Sequence, residues 1–573
     1  MTKVLGLYDW HNCGAALVED GQIIAAIEEE RLSRTKVDFG MPYRAIQHVL
    51  EMTSTDWDDL DAIGVCGIYD PTALVRWKQG SFQFEREISA KWRMQYALWK
   101  VFYQMRSFPP LRMIEKEANR RIIHRQLSTI GSVSLSDIHH IDHHLCHANV
   151  GYWTSGYQDA LVVVIDGSGD GHSATIYTAK DGDLTFIAGS KETASLGKFY
   201  ANATLGLGFK KLTGEGKLMG LAAYGDPEPY YPHLEHVLEF EDIDTLQLKN
   251  NEDLLGNGWS LKIRKDLETF SKEDIAAAVQ KRFEDLSSKI VTHFAQKFSL
   301  GNVVLVGGSA MNVKLNQKVR ESDGIDSTHI VPAMTDSGVS SGAALATYHH
   351  LINRTSQEKP AYVRLQNAYL GPGYSNDEVK AVLDRRGYGN KAEYIEDIDT
   401  HIGNLVADNA IVARFEGRME YGPRALGNRS ILALATRTDI EDTLNKRLKR
   451  DEFMPFAPSI MEEYASEYLE NYVYSPFMVE TFTVKEEYRP TFPAIVHVDG
   501  TLRPQVVRKD VSPGYWQVLQ TIGERTGYYL VLNTSYNMHG EPIVCSPDDA
   551  LNSFEQGPVD YIAMGNWLLP FET

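Results

Sequence analysis

Leu161-Val-Val-Val-Ile-Asp166-Gly167-Ser-Gly169-Asp170-Gly171 is an apolar run, rich in β-branched residues, that ends in a carboxylate and alternating glycines. A short continuous run of this composition reads as a strand buried on both faces. Glycines beyond it let the backbone come close to a phosphate or nucleotide, because no Cβ stands in the way. Nearer the N-terminus, Val4-Leu-Gly-Leu-Tyr8-Asp9-Trp-His11 leads into apolar segments on either side of Asp20-Gly21. Asp-Gly between apolar runs is a strong hairpin signal. Both stretches, 4–21 and 161–176, share a strand–turn–glycine pattern. A third, Asn302-Val-Val-Leu-Val306-Gly307-Gly308-Ser-Ala-Met-Asn312, reads strand, glycine turn, helix. Its glycines either bring the backbone to a nucleotide or simply make a tight turn.

Upstream of the first run stands Ile141-Asp-His143-His-Leu-Cys-His147. On a helix, His143 and His147 fall on one face, one turn apart, where two neutral imidazoles can share a metal ion. Downstream, Val331-Pro-Ala-Met-Thr-Asp336-Ser-Gly-Val-Ser-Ser-Gly342 puts a second carboxylate at the start of a small-residue helix. Two His and two Asp form a plausible nitrogen and oxygen site for a divalent transition metal. Taken one at a time, Asp166 also reads as a turn residue and Asp336 as an N-cap.

At 573 residues the chain is too long for one ordinary core, so two or more domains are expected. No apolar run approaches the roughly 20 residues needed to cross a bilayer, and MTKVLGLYDW has no signal-peptide pattern. Four cysteines without a CxxC suit a reducing compartment, so a cytoplasmic location is expected. A net charge of −20 argues against a generic nucleic-acid binder. Against that background, Arg76 to Arg125 holds 12 Lys/Arg and 4 Glu, with Trp92, Tyr96, Trp99 and Tyr103 at helical spacing. Hydrophobic periodicity fades over 353–366, which reads as a linker. Beyond it come Tyr421-Gly-Pro-Arg424-Ala-Leu-Gly-Asn-Arg-Ser430, Lys449, Leu502-Arg503-Pro-Gln505 and Val531-Leu-Asn533-Thr-Ser535. Cations joined by amide and hydroxyl groups suit a phosphate-rich ligand; the other reading is surface ion pairing.

HHLCHA, VVVIDGSGDG, Gly214-Glu-Gly216-Lys217-Leu-Met-Gly-Leu-Ala-Ala-Tyr-Gly225, VGGSAMN, MTDSGVSSGAA and YGPRALGNRS together resemble the NodU-type O-carbamoyltransferases. The resemblance runs in order over nearly the whole chain. It implies an α/β and α+β protein: a duplicated sugar kinase–actin-like domain over 1–352, the linker 353–366 and a YrdC-like domain over 367–573. It implies that His143, His147, Asp166 and Asp336 hold a divalent metal, iron(II) first, with manganese or zinc as alternatives. Gly167, Gly169, Gly214, Gly216, Lys217, Gly307, Gly308 and Asn312 are then nucleotide-binding candidates in the first domain. Arg424, Lys449, Arg503, Asn533 and Ser535 are implied to hold carbamoyl phosphate and ATP, with Mg2+ as an option beside ATP. Arg34 and Lys36 become candidate active-site cations, and His11 either takes the acceptor hydroxyl's proton or contacts phosphate. One departure is Met454, where many members have Arg; Arg450 is the substitute cation at hand.

The implied activity is ATP-dependent O-carbamoyl transfer through a carbamoyl adenylate to a hydroxyl-bearing acceptor such as a sugar or natural product. An anionic acceptor bound by 76–126 is one reading of that basic segment. A hydroxyl on a nucleotide or nucleic-acid base, and a kinase or ATPase of the sugar kinase–actin superfamily, stay open as alternatives. The sequence names neither the acceptor nor the oligomeric state.

Overall fold

The computed structural model describes residues 1–77, 109–254, 256–355, 362–449 and 455–571. The aromatic stripe Trp92–Tyr103, most of the basic segment, the middle of the expected linker, and Arg450 and Met454 lie outside the described residues.

The chain forms two compact units, Met1–Glu29 with Val37–Leu365, and Glu30–Lys36 with Gln366–Thr573. Sequence reading placed 30–36 in the first domain. Hydrogen bonds place it in the second: Arg31 donates to the Gly422 carbonyl at 2.9 Å, and Arg34 donates to the carbonyls of Ile543 and Pro542, each at 2.7 Å.

The first unit holds two sheets of one design. Strands β1 (Lys3–Tyr8), β2 (Gly14–Glu19), β3 (Gln22–Glu28), β4 (Ala62–Cys66) and β5 (Ile138–Ile141) order as β3-β2-β1-β4-β5. Strands β6 (Asp159–Gly169), β7 (His172–Lys180), β8 (Asp183–Lys191), β11 (Asn302–Val306) and β12 (Ser327–Ile330) order as β8-β7-β6-β11-β12, while β9 (Leu238–Asp242) and β10 (Gln247–Asn250) pair apart. In each sheet the first three strands are antiparallel and the last two join in parallel. This repeated order is the duplicated α/β core of the sugar kinase–actin type. Even the turns repeat. Asp20-Gly21 and Asp181-Gly182, at equivalent hairpins, both take positive φ (47° and 83°, 46° and 82°), as a tight two-residue turn requires.

The second half of each sheet is parallel because helices cross over between its strands. The helix Val339–Thr355 packs on the first sheet and on the helix His143–Trp153. Its small residues let it approach closely: a Cβ on Gly6 or Gly64 would strike the helix backbone at Ser340 or Ala343. Strands β1, β6 and β11 are buried almost throughout, as their uninterrupted apolar composition predicts.

The second unit is built on a mixed sheet. Among the described residues its strands are β13 (Glu393–Tyr394), β14 (Val412–Phe415), β15 (Arg429–Ala433), β16 (Ala457–Met461), β19 (Gln505–Val507), β20 (Leu530–Ser535), β21 (Tyr561–Met564) and β22 (Trp567–Pro570). They order as β13-β22-β21-β14-β15-β20-β16-β19, and β17 (Phe482–Thr483) pairs apart with β18 (Thr501–Leu502). Two apolar clusters cover the sheet. One gathers around Phe415, Ile460 and Leu532; the other is built from Val412, Leu432 and Val531 against the helices Ile398–Ala407 and Pro513–Thr526. The alternation of Leu432 and Val531 with Ile431 and Leu532 between the clusters reflects the two faces of each strand.

Candidate functional site

The carboxyl ends of strands meet in the first unit, where open α/β sheets place their ligands. β5 leads into the helix His143–Trp153, started by Asp142, whose side chain accepts from the Leu145 N–H. That start sets His143 and His147 on one helical face, their rings 4.9 Å apart. The helix is buried nearly all round, so both imidazoles are held away from water. Asp166 closes the apolar part of β6. Asp336 opens a short 3-10 turn, Asp336–Gly338, ahead of Val339–Thr355. The N-cap there is Thr335, whose hydroxyl accepts from Ser337, so the Asp336 carboxylate does not cap. The expected turn likewise falls later than Asp166: β6 continues to Gly169, and the reversal is made at Asp170 and Gly171.

His143, His147, Asp166 and Asp336 each present an atom within 4.8 Å of the others, and all four are buried. His143 Nε2 lies 3.5 Å from Asp166 Oδ2 and 3.5 Å from Asp336 Oδ1, and His147 Nε2 lies 3.4 Å from Asp336 Oδ1. These gaps are longer than hydrogen bonds. Among the described residues His143 Nε2 and both ring nitrogens of His147 have no hydrogen-bond partner. Buried polar atoms without partners are costly, and two imidazoles converging on two carboxylates fit a cation between them.

The second oxygen of each carboxylate is already engaged. Asp166 Oδ1 accepts from the Gly308 N–H at 2.8 Å, and Asp336 Oδ2 accepts from the buried Tyr8 hydroxyl at 3.0 Å. His11 Nε2 also faces Asp336 Oδ2, at 3.3 Å. Each carboxylate therefore presents one oxygen to the cluster. Burial opposes charge here, yet His11 and His143 hold the Asp336 carboxyl well below the usual range. His143 is raised in turn: burial works against its charge, but the nearby Cys66 and Asp336 outweigh it. Cys66 Sγ sits 3.6 Å from His143 Nδ1, behind the ring. Asp170, passed over in the sequence, anchors the cluster: it accepts from the backbone N–H groups of Ile68, Tyr69, Asp70 and His143.

The nucleotide candidates divide. A Cβ on Gly169 would strike the His143 ring at 2.2 Å, and one on Gly214 would strike the Lys210 carbonyl, so these glycines answer to packing. Gly307, at φ 94°, lies against the Ile165 carbonyl, and a Cβ on Gly308 would come within 2.9 Å of Asp166 Oδ1. Around Gly167 and Gly216 there is open space. Asn312 caps the helix Val313–Arg320 through Leu315 N and exchanges amide hydrogen bonds with Gln280, so its side chain is fully engaged. Lys217 lies half-buried in the helix Glu215–Leu221. Two lysines that the sequence reading missed, Lys198 and Lys211, are lowered by burial, Lys211 to about 8. Lys198 lies in the first turn of the helix Leu196–Gly206, whose cap Ser195 accepts from the Lys198 N–H and also donates to the carbonyls of Asp166 and Gly167. The signal for it was the Ser195-Leu-Gly-Lys198 cap pattern.

Three cations in the described part of the basic segment are tied down internally. Arg76 is fully buried in a two-pronged pair with Asp9, at 2.9 and 3.1 Å. Arg120 donates to the Leu135 carbonyl, and Arg121 pairs with Glu117.

In the second unit the arginines of YGPRALGNRS take opposite parts. Arg429 is buried and donates to the carbonyls of Glu416, Gly417, Asn428 and Pro372. Glu420 Oε1 gathers the N–H groups of Leu426, Asn428 and Arg429, folding the loop around one carboxylate. Arg424 makes neither a hydrogen bond nor an ion pair among the described residues, and burial lowers it to about 10. Arg503 is likewise unpaired; burial first, and the Arg424 guanidinium second, push it well below the usual arginine range. Two crowded guanidinium groups with no counter-charge fit an anion. Asn533 lies on β20 beside Ala425, and Ser535 follows two residues on, on the same face of the strand. Arg34 is engaged with the Pro542 and Ile543 carbonyls and faces Asp549 at 3.5 Å. Lys36 is exposed, and Lys449 is the exposed left-handed cap of the helix Ile440–Leu448, beside undescribed residues.

A family model described as carbamoyltransferase N-terminus matches residues 3–345, and one described as carbamoyltransferase C-terminus matches residues 403–570. The chain is 32% identical to an uncharacterized protein of Methanocaldococcus jannaschii, over 99% of each. It is also 32% identical to the nodulation protein NolNO of Sinorhizobium fredii, over 98% of this chain and 79% of that one. Among solved structures, HypF in a phosphate- and nucleotide-bound form matches 61% of this chain and 56% of its own, at 13% identity and a TM-score of 0.38.

Proposed function

We propose a two-step, ATP-dependent O-carbamoyl transfer for this chain, which belongs to the carbamoyltransferase family of the NodU and NolO type. In the first step carbamoyl phosphate, ATP and one water give carbamoyl adenylate, phosphate and pyrophosphate. In the second an acceptor hydroxyl attacks the carbamoyl carbon and the bond to the AMP oxygen breaks. The hydroxyl proton passes to a base, leaving an O-carbamate and AMP.

The observation that carries this reading is the pair Arg424 and Arg503, both half-buried and without a partner among the described residues. Two cations held close together repel unless an anion neutralises them, and both co-substrates are polyanions. The guanidinium groups would draw carbamoyl phosphate and ATP together against their mutual repulsion, with Lys449 and Ser535 as further ligands and Mg2+ accompanying ATP.

His143, His147, Asp166 and Asp336 would hold a divalent first-row ion, iron(II) first, manganese or zinc next, since the cluster offers two nitrogens and two oxygens and no thiolate. When bound, such an ion supplies Lewis-acid stabilisation of negative charge developing on oxygen. His11 would take the acceptor's proton, its ring oriented by Asp336 Oδ2. Lys198 and Lys211, cations without ion pairs among the described residues, would offset the phosphate charge of the adenylate. The acceptor is a hydroxyl-bearing small molecule. An anionic acceptor gathered by the 76–126 segment gains nothing from Arg76, Arg120 or Arg121, which already have partners.

The test is mass balance on the purified protein. With carbamoyl phosphate, ATP and a panel of sugars and natural-product alcohols, one acceptor should gain a carbamoyl group by mass spectrometry, with equimolar phosphate, pyrophosphate and AMP. Release of ADP in place of AMP would point instead to a kinase or ATPase.

A further inference from the structure

We propose that Cys66 is a positioning residue for the cluster in the first unit: its sulfur accepts the Nδ1 hydrogen of His143 and so leaves a bare Nε2 facing the cation. The inference rests on the reading of His143, His147, Asp166 and Asp336 as a divalent-metal site. It adds what that reading leaves open: what decides which nitrogen of the imidazole is offered to the ion.

The strands bring the groups together. Cys66 and Ile141 end β4 and β5, opposite one another in a parallel pair, and the helix that opens with His143 starts two residues beyond. Cys66 is fully buried, and its Sγ stands 3.6 Å from His143 Nδ1. It also hydrogen-bonds the Cys146 thiol. Cys146 Sγ in turn donates to the Ile141 carbonyl at 3.9 Å. Both cysteines sit in one apolar cluster with Val339 and Ala343, where a thiol keeps its hydrogen.

The direction of this relay follows by elimination. The Ile141 carbonyl only accepts, so the Cys146 hydrogen points there. The Cys146 sulfur is then left to accept from Cys66, and the Cys66 sulfur to accept from the ring. The ring hydrogen therefore sits on Nδ1. Nε2, which lies 3.5 Å from Asp166 Oδ2 and 3.5 Å from Asp336 Oδ1, keeps its lone pair. Turning the ring over would put carbon Cδ2 against the sulfur and carbon Cε1 where Nε2 stands, so the same contact holds the ring's orientation. His147 has no such guide, since neither of its ring nitrogens has a hydrogen-bond partner among the described residues. Ligating imidazoles are ordinarily oriented by a carboxylate or carbonyl behind them; here a thiol stands in that place. The competing reading is that Cys66 only fills space, as a small buried hydrophobe. The two readings rank substitutions in opposite orders.

The test is manganese(II) binding to the metal-stripped, full-length protein, with the free ion read by electron paramagnetic resonance. Manganese favours oxygen and nitrogen ligands, so a thiol does not itself attract it. Cys66→Val fills the space but accepts nothing, and should bind manganese about 10- to 100-fold more weakly than the wild-type protein. Cys66→Ser is smaller but accepts, and should bind more tightly than Cys66→Val. Valine binding as tightly as serine, or both variants matching the wild type, would reduce Cys66 to packing. Should either variant not fold, Cys66→Thr and Cys66→Ala make the same comparison, and the hydroxyl should again bind more tightly. A wild-type protein that held neither manganese(II) nor iron(II) would overturn the metal site and this assignment with it. A wild-type protein that held manganese, with valine at or above serine, would overturn the assignment alone.

Discussion

The buried cluster in the first unit and the half-buried arginine pair in the second both lack adequate partners among the described residues, but the deficits are opposite. His143, His147, Asp166 and Asp336 present lone pairs and negative charge, and so call for a cation. Arg424 and Arg503 present only N–H groups and positive charge, and so call for an anion. The difference teaches that the two units are prepared for different partners. Where one sign of charge is left over in a partly or fully desolvated place, it names the ligand's charge class.

The contrast can be broken most severely at the second unit. Arg503→Ala should lower carbamoyl-phosphate-dependent pyrophosphate release by about 100- to 1000-fold, the loss typical of one donor to a developing charge. Metal content, read by elemental analysis, should stay at the wild-type level. A variant that lost metal but kept pyrophosphate release would invert the assignment. Asp166→Ala should do the reverse: bound metal falls below detection after dialysis, while pyrophosphate release survives.

A smaller effect sharpens the first half of the comparison. Tyr8 holds Asp336 Oδ2 and leaves Oδ1 to the cluster. Tyr8→Phe should weaken metal binding by about 10- to 100-fold, measured by competition with a chelator, as is usual when a group that orients a ligand is removed. Unchanged affinity would show that His11 alone orients the carboxylate. The smallest effect concerns Lys211, lowered by burial to about 8. A lysine with a depressed folded value destabilises the native state while both states are protonated. That penalty is relieved as pH rises from about 8 toward about 10.4, where the unfolded chain still binds the proton. Lys211→Met should therefore raise the urea midpoint at about pH 7 and lose that advantage near pH 10. An advantage that grew with pH would contradict the burial argument.

Much of the first site was legible because its signals are local. HxxxH on a helix, a carboxylate at the end of a buried strand and Asp-Gly turns follow from short-range periodicity, and the structure puts the four expected residues together. What was not legible depends on contacts distant in sequence. Arg424 and Arg429 stand five residues apart in one motif and look alike, yet Arg429 is turned onto four carbonyls while Arg424 has no partner among the described residues. Residues 30–36 read as part of the first domain, because nothing local says that they belong with a unit that resumes at Gln366. Asp170 and Glu420 looked like ordinary loop acids, although each organises several backbone N–H groups. Of the glycines, only the folded backbone separates Gly169, pressed against His143, from Gly167, which faces open space.

The central claim is that donor activation and carbamoyl transfer belong to different units. The most direct measurement follows pyrophosphate and AMP separately in two variants supplied with carbamoyl phosphate, ATP and a competent acceptor. His147→Ala should release pyrophosphate at near the wild-type rate but form no O-carbamate, and Arg424→Ala should release neither pyrophosphate nor AMP. If His147→Ala lost pyrophosphate release to the same degree as Arg424→Ala, the two steps would share one site and the account would be wrong.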